Sequence, residues 1–225
     1  MSDQTVLITG GTRGIGYATA QAFLAQGANV ALCGTNPANL KAAQHQLEAL
    51  AVRADVSDPE QVQSFVQQAR ERFGRIDVLV NNAGVAWSGD FADEPYESIA
   101  RQIDVNVKGV LYTARAVLPL MLKQGSGVII NISSGAGLTG FAGIATYSAS
   151  KFAVVGFTEA LDQEVSGRGI RVYGVCPGRV ATDMQQAYAG KKIGMPPEQV
   201  AKRIVELAGP KPRARTGTCV TPREK

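Results

Sequence analysis

The chain has 225 residues, 45% hydrophobic and 19% charged, which suits one compact domain and excludes a wholly disordered chain. Net charge is +4 with a sequence pI near 9.0, the excess lying late, at Lys191, Lys192, Lys202, Arg203, Lys211, Arg213, Arg215, Arg223 and Lys225. No aromatic residue follows Tyr188 to interleave with that charge, so it reads as solvated surface, with no nucleic-acid partner.

The first strand covers 5–9 and stops in Gly10-Gly11-Thr12-Arg13-Gly14-Ile15-Gly16, after which a helix runs to Gln26. Glycines without a Cβ permit the sharp turn and let backbone N–H groups reach a pyrophosphate at the helix N-terminus. A second strand covers 30–33. Asn36-Pro37 then reads as N-cap and first helical residue of a helix to about Leu50. A third strand covers 51–54, and Asp58-Pro59 repeats the cap signal for a helix to Phe73. The fourth strand, 76–80, runs into Asn81-Asn82-Ala83-Gly84. Helices over 95–104 and 107–123, a fifth strand over 127–132, a helix to about Gly167 and a sixth strand over 170–176 follow. A helix over 197–208 and a strand over 216–220 close the order.

Near-continuous apolar strands alternating with helices predict a parallel sheet covered on both faces. Right-handed crossovers make it a Rossmann-like, doubly wound α/β fold of about seven strands, with the binding crevice at their carboxyl ends. No linker or repeat divides the chain, so 1–225 is expected to be one nucleotide-binding domain with a short substrate loop at about 183–196. No continuous apolar run reaches the roughly 18 to 20 residues of a membrane span, and no leader pattern opens the chain. The expected setting is cytoplasmic, without a membrane. Cys33, Cys176 and Cys219 are far apart with no metal-ligand spacing and read as buried apolar thiols, so no metal is expected.

Thr146 to Lys151 reads Thr-Tyr-Ser-Ala-Ser-Lys, which puts Tyr147 and Lys151 one helical turn apart on one face. A free tyrosine titrates near ~10, and a lysine cation nearby lowers that value by stabilising the phenolate. Such a pair exchanges a proton with a substrate oxygen at neutral pH.

Taken together these residues resemble the short-chain dehydrogenase/reductase family. The likeness covers about 6–184. It rests on Thr9-Gly10-x-x-x-Gly14-x-Gly16, Asp55-Val56, Asn81-Asn82-Ala83-Gly84, Asn106, Ser134, Tyr147-x-x-x-Lys151 and Pro177-Gly178 with Thr182. The resemblance implies that Gly10, Gly14, Ile15 and Gly16 hold the cofactor pyrophosphate and that Asp55 and Val56 flank the adenine. It implies that Asn82 supports the end of the fourth strand, with Ala83 and Gly84 bordering the adenine ribose. Thr182, with the backbone near Pro177, Gly178 and Val180, would hold the nicotinamide carboxamide. Tyr147 would be general acid in reduction and base in oxidation. Lys151 would lower its pKa and bind the nicotinamide ribose. Ser134 would hydrogen-bond the substrate oxygen, and Asn106 would bend its helix. Ser133 competes with Ser134 for the crevice, and family spacing to the tyrosine selects Ser134.

An acidic residue at the end of the second strand would repel a 2′-phosphate. Gly34 stands there, and Arg13, Thr12, Thr35 and Asn36 lie nearby, which favours NADP(H) over NAD(H). The expected function is hydride transfer between the nicotinamide and a carbonyl or secondary alcohol. A 3-oxoacyl-carrier-protein reductase is one alternative: Arg168 matches one docking arginine, while the second position is Gly125, with Lys123 nearby. A non-catalytic dinucleotide-sensing regulator is another, and a transiently oxidising epimerase or dehydratase a third. Trp87, Leu138, Phe141, Ile144 and Met184 are candidates for an apolar substrate pocket. Ala153, Val154, Phe157 and Leu161 are candidates for a face against a second copy, in a homodimer or homotetramer. The final segment departs from the family's usual close and leaves the last strand's subunit contacts open.

Overall fold

A computed structural model describes residues 4–222, apart from the side chains of Tyr188 and Ala189. The strands are β1 (Thr5–Thr9), β2 (Asn29–Gly34), β3 (Leu50–Arg53), β4 (Val78–Asn81), β5 (Gly127–Ile132), β6 (Ile170–Val175) and β7 (Cys219–Val220). They form one seven-stranded sheet in the order β3-β2-β1-β4-β5-β6-β7, with every neighbouring pair parallel. The helices are α1 (Gly14–Leu24), α2 (Pro37–Gln46), α3 (Pro59–Phe73), α4 (Tyr96–Ile103), α5 (Gly109–Gln124), α6 (Ala145–Val165), α7 (Asp183–Ala189) and α8 (Pro197–Ala208). A π-helical turn, Asp104–Lys108, joins α4 to α5. This is the doubly wound α/β sheet that the alternation of strands and helices predicts.

Alternation along β1 separates two cores. Val6 and Ile8 pack in one cluster with Phe23 of α1 and Ile204 of α8. Leu7 packs in the other with Phe65 of α3 and Val117 of α5. Each such side chain contributes about 1.5–3 kcal/mol of burial, so both helical layers are held to the sheet. β1 pairs with β2 on one side and β4 on the other. The winding reverses there, and the crevice expected at such a point lies over the carboxyl ends of the strands.

Three segments differ from expectation. α2 stops at Gln46, short of Leu50, because Leu47 leaves the helix extended to bury its side chain and Leu50 pairs with Ala31 of β2. Pairing with the sheet outweighs helix propensity there. The last strand shrinks to Cys219–Val220, paired with Gly174 and Val175. The segment expected as a substrate loop contains α7, capped by Thr182, whose Oγ1 accepts from the Gln185 N–H at 3.3 Å.

The helical run Tyr96–Gln124 is long and apolar enough to cross a membrane by length and composition alone, which the sequence reading did not expect. Its Val110, Ala114, Val117 and Met121 are core residues, and the last three pack in the second cluster. Val154 and Leu161 of α6 are also buried, and Phe157 packs against the second cluster, to which Leu161 belongs. Of the four residues expected on a face against a second copy, only Ala153 is exposed. Arg223 and Lys225 of the basic tail lie outside the described residues.

Candidate active site

A cleft of about 810 Å³ opens at the carboxyl ends of the strands, over the point where the winding reverses. Every sequence-predicted catalytic and cofactor residue lines it except Gly16 and Asn106, which sit directly behind its wall.

The glycine turn builds one end. Gly14 has φ +55°, a backbone conformation that side chains resist. A Cβ on Gly16 would overlap the Gly10 carbonyl oxygen and stand 2.5 Å from Asn82 Nδ2. Asn82 Nδ2 donates to the Thr9 and Gly10 carbonyl oxygens at 2.9 and 3.0 Å, and Thr9 Oγ1 accepts from the Asn82 and Ala83 N–H groups. The ends of β1 and β4 are thereby locked together. Arg13 is the N-cap of α1 and its side chain makes no cap hydrogen bond, so the first N–H groups of the helix stay available to an anion. A dinucleotide pyrophosphate suits this cradle.

At the end of the cleft nearest β2, Gly34 closes that strand, and a Cβ there would lie 3.0 Å from the Thr12 methyl. No acidic side chain fits that position without moving Thr12. Thr35 and Asn36 follow, and Asn36 Oδ1 is taken by the Asn39 N–H at 3.0 Å as the cap of α2. Asp55 is bound by Arg101 of α4 at 2.9 Å and by the Ser57 hydroxyl at 2.6 Å. Burial raises the Asp55 pKa, but the Ser57 and Arg101 contacts outweigh it and hold the carboxyl below its ordinary range. Arg13 faces Asp183 at 3.6 Å, while Lys192 holds the other oxygen of Asp183 at 2.7 Å.

The chemical end gathers around α6. Tyr147 is partly buried and points into the cleft with Lys151, which is 4% exposed. Burial raises the Tyr147 pKa, against a smaller opposing pull from the Ser134 hydroxyl. The expected lowering by Lys151 is not part of this geometry. Lys151 Nζ donates to the Ile132 carbonyl oxygen at 2.9 Å and stands 5.6 Å from the Tyr147 ring centroid, over the ring. Burial itself lowers the Lys151 pKa to about 8. Of the two serines, Ser133 is buried and donates to the Lys151 carbonyl oxygen at 2.9 Å. Ser134 is half-buried, and its Oγ accepts from the Ala136 N–H at 3.1 Å. Asn106 lies in the π-helical turn. Its Oδ1 accepts from the Val85 N–H and its Nδ2 donates to the Val85 carbonyl oxygen, both at 2.8 Å, and to Ser150 Oγ at 3.0 Å.

The sequence matches the short chain dehydrogenase family over residues 4–192. The chain belongs to that family. It is 41% identical to a 3-oxoacyl-[acyl-carrier-protein] reductase of Synechocystis sp., over 92% of this chain and 90% of the relative. A 3-ketoacyl-(acyl-carrier-protein) reductase from Brucella melitensis complexed with NADH superposes with a TM-score of 0.93 and 28% identity, covering 98% of this chain and 96% of that one. An actinorhodin polyketide ketoreductase solved with NADPH gives a TM-score of 0.91 and 32% identity, covering 97% and 95%. Membership makes the chain an oxidoreductase that works with a nicotinamide cofactor, and the glycine cradle accommodates one.

Within the family frame, the sequence reading missed Arg101, Arg179 and Asp183, all of which line the cleft. Arg101 gave no local signal, because its partner Asp55 is 46 residues away. Asp183 had one: Thr182-Asp183 is an ordinary helix-start pair. Of the apolar candidates, Phe141, Ile144 and Met184 line the cleft, whereas Trp87 and Leu138 do not.

Proposed function

We propose that the chain is an NADP(H)-dependent oxidoreductase that interconverts a small carbonyl compound and its secondary alcohol, with Tyr147 as proton donor in reduction. The observation that carries this reading is the meeting of Tyr147, Ser134 and Lys151 in the same cleft as the uncapped glycine turn. A nicotinamide cofactor held on the glycine turn would supply the hydride. In reduction, charge develops on the substrate oxygen. Ser134 Oγ donates a hydrogen bond to it and Tyr147 gives it a proton. Lys151 steadies the phenolate left behind once its ammonium is drawn toward the cleft. Asn106 holds the wall at Val85 and the first turn of α6 through Ser150. Phe141, Ile144 and Met184 give the carbonyl compound an apolar wall.

The preference for NADP(H) rests on the absence of a carboxylate at Gly34, the cationic Arg13 and the N-terminus of α2, all at one end of the cleft. Titration of the protein with NADPH and NADH, followed by energy transfer from protein fluorescence, tests it. Tighter NADPH binding supports the reading, and equal or tighter NADH binding removes it. Turnover is then sought with ketones, aldehydes, diketones and 3-oxoacyl thioesters.

A narrower reading, reduction of a 3-oxoacyl group on a carrier protein, is favoured by one surface feature. The Gly127 N–H donates to the Gly169 carbonyl oxygen at 3.3 Å, which brings exposed Arg168 to the same end of the molecule as Lys123. An acidic carrier protein would meet both cations. Exposed Leu111 of α5 and Phe152 of α6 further support association with a second copy, as a homodimer or homotetramer.

A further inference from the structure

A buried chain of hydrogen bonds outside the catalytic set ends one residue before Tyr147. Glu94, only 8% exposed, lies just ahead of α4. Its Oε1 accepts from Gln102 Nε2 at 2.5 Å and from Ser98 Oγ at 3.3 Å. Its Oε2 accepts from Thr146 Oγ1 at 2.7 Å, across 52 residues of sequence. All three donors are uncharged. A carboxylate taken out of water on neutral donors is expensive, and a purely packing role would be served better by an apolar side chain.

The reason for the arrangement lies in α6. Its N-cap is Ile144, which offers no side-chain hydrogen bond, so the turn that carries Tyr147 starts without a cap of its own. Two contacts from the α4 side anchor that turn, although neither caps its N–H groups. Asn106 reaches Ser150, whose Oγ donates to the Tyr147 carbonyl oxygen at 2.7 Å, and Glu94 reaches Thr146. The same side also holds the opposite wall of the cleft. Gln102 and Asn106 stand one turn apart, and Gln102 Oε1 accepts from the Trp87 N–H at 3.3 Å while Asn106 holds Val85.

We propose that Glu94, acting through Thr146, is a positioning residue that fixes the phenol of Tyr147 against Ser134 and Lys151. The inference rests on Tyr147 being the proton donor. Misplacing a reacting group by about 1 Å can cost on the order of 100-fold in rate, so an uncapped first turn needs such an anchor.

The test is Thr146→Val, which keeps the shape and deletes the hydroxyl, beside Thr146→Ser, Glu94→Ala and the double variant Glu94→Ala/Thr146→Val. Turnover is followed with NADPH and the carbonyl compound that the panel above reduces fastest. Thr146→Val should lower kcat by about tenfold or more with NADPH affinity little changed, while the thermal midpoint of the NADPH complex falls because Glu94 Oε2 loses its donor. Thr146→Ser should restore kcat. The double variant should lose no more than the worse single one, because the Glu94–Thr146 contact is already gone in either. A second readout needs no substrate. Ultraviolet titration of the NADPH complex, as each protein minus its Tyr147→Phe counterpart, should put the phenol midpoint of Thr146→Val above that of wild type.

Wild-type kcat in Thr146→Val with an unmoved phenol titration overturns the inference. So does a kcat loss that Thr146→Ser does not repair, or one matched by an equal loss of NADPH affinity. The parent reading fails separately: a fully active Tyr147→Phe removes the proton donor itself, whereas an inactive Tyr147→Phe beside an unaffected Thr146→Val removes only the role of Glu94.

Discussion

The Lys151 ammonium lies over the Tyr147 ring, 5.6 Å from its centroid, and gives its hydrogen bond to the Ile132 carbonyl oxygen 2.9 Å away. The two side chains are neighbours on one face of α6, yet the ammonium gives this hydrogen bond to the backbone and not to the phenol. Burial acts on both, raising the Tyr147 pKa and lowering that of Lys151 to about 8. A charge kept in that place costs stability, and the cost depends on pH.

Between about pH 8 and 10.5 the unfolded chain keeps the Lys151 proton that the folded one has lost, so folding stability should rise with pH in that window. The shift amounts to roughly 3 kcal/mol in full, an order-of-magnitude figure. Urea denaturation of wild type and Lys151→Met at several pH values isolates the effect, because the other titrating groups cancel in the difference. Wild type should gain on Lys151→Met as the pH rises through this window. A constant difference would mean that Lys151 is not buried as a cation.

The raised pKa of Tyr147 gives opposite pH dependences to the two directions of reaction. Reduction uses the protonated phenol and should run at a steady kcat through neutral pH, falling on the alkaline side. Oxidation uses the phenolate and should climb as the pH rises. Initial rates in both directions across the pH range check this, and parallel profiles would exclude a shared acid and base.

Arg13 should carry the nucleotide preference. Arg13→Ala should weaken NADPH binding by about 1–3 kcal/mol, the value of a charge-assisted contact, and NADH binding by much less. Asp183 pairs with Arg13 at 3.6 Å, so Asp183→Asn frees the guanidinium and should tighten NADPH binding selectively. Equal effects on both nucleotides would take Arg13 out of the 2′-phosphate site.

Gly16 is outside the cleft, but a methyl group there meets the Gly10 carbonyl and Asn82 Nδ2. Gly16→Ala should therefore weaken NADPH and NADH alike, unlike Arg13→Ala, and lower the thermal midpoint. Unchanged binding of both would show that the turn has room to give.

Much of this was legible along the chain, and the limits have a physical pattern. The starts of α2 and α3 were readable because Asn36 and Asp58 cap them locally, with Asp58 Oδ1 accepting from the Glu60 and Gln61 N–H groups. The end of α2 was not, since Leu47 and Leu50 answer to the sheet. Thr182 is expected as a nicotinamide contact, and the structure makes it the cap of α7. Arg101 and Glu94 left no trace in sequence, because their partners Asp55 and Thr146 are joined to them only by the fold. The Tyr147–Lys151 spacing was legible; where the ammonium points was not, because the Ile132 carbonyl belongs to another element.

The most direct test of the central claim is Tyr147→Phe, assayed for NADPH binding and for carbonyl reduction in the same preparation. The ring stays and only the proton donor goes. NADPH affinity should remain within about twofold of wild type while kcat falls by about 100-fold or more, the range expected for loss of a general acid. A variant that binds NADPH and turns over at the wild-type rate would contradict the account.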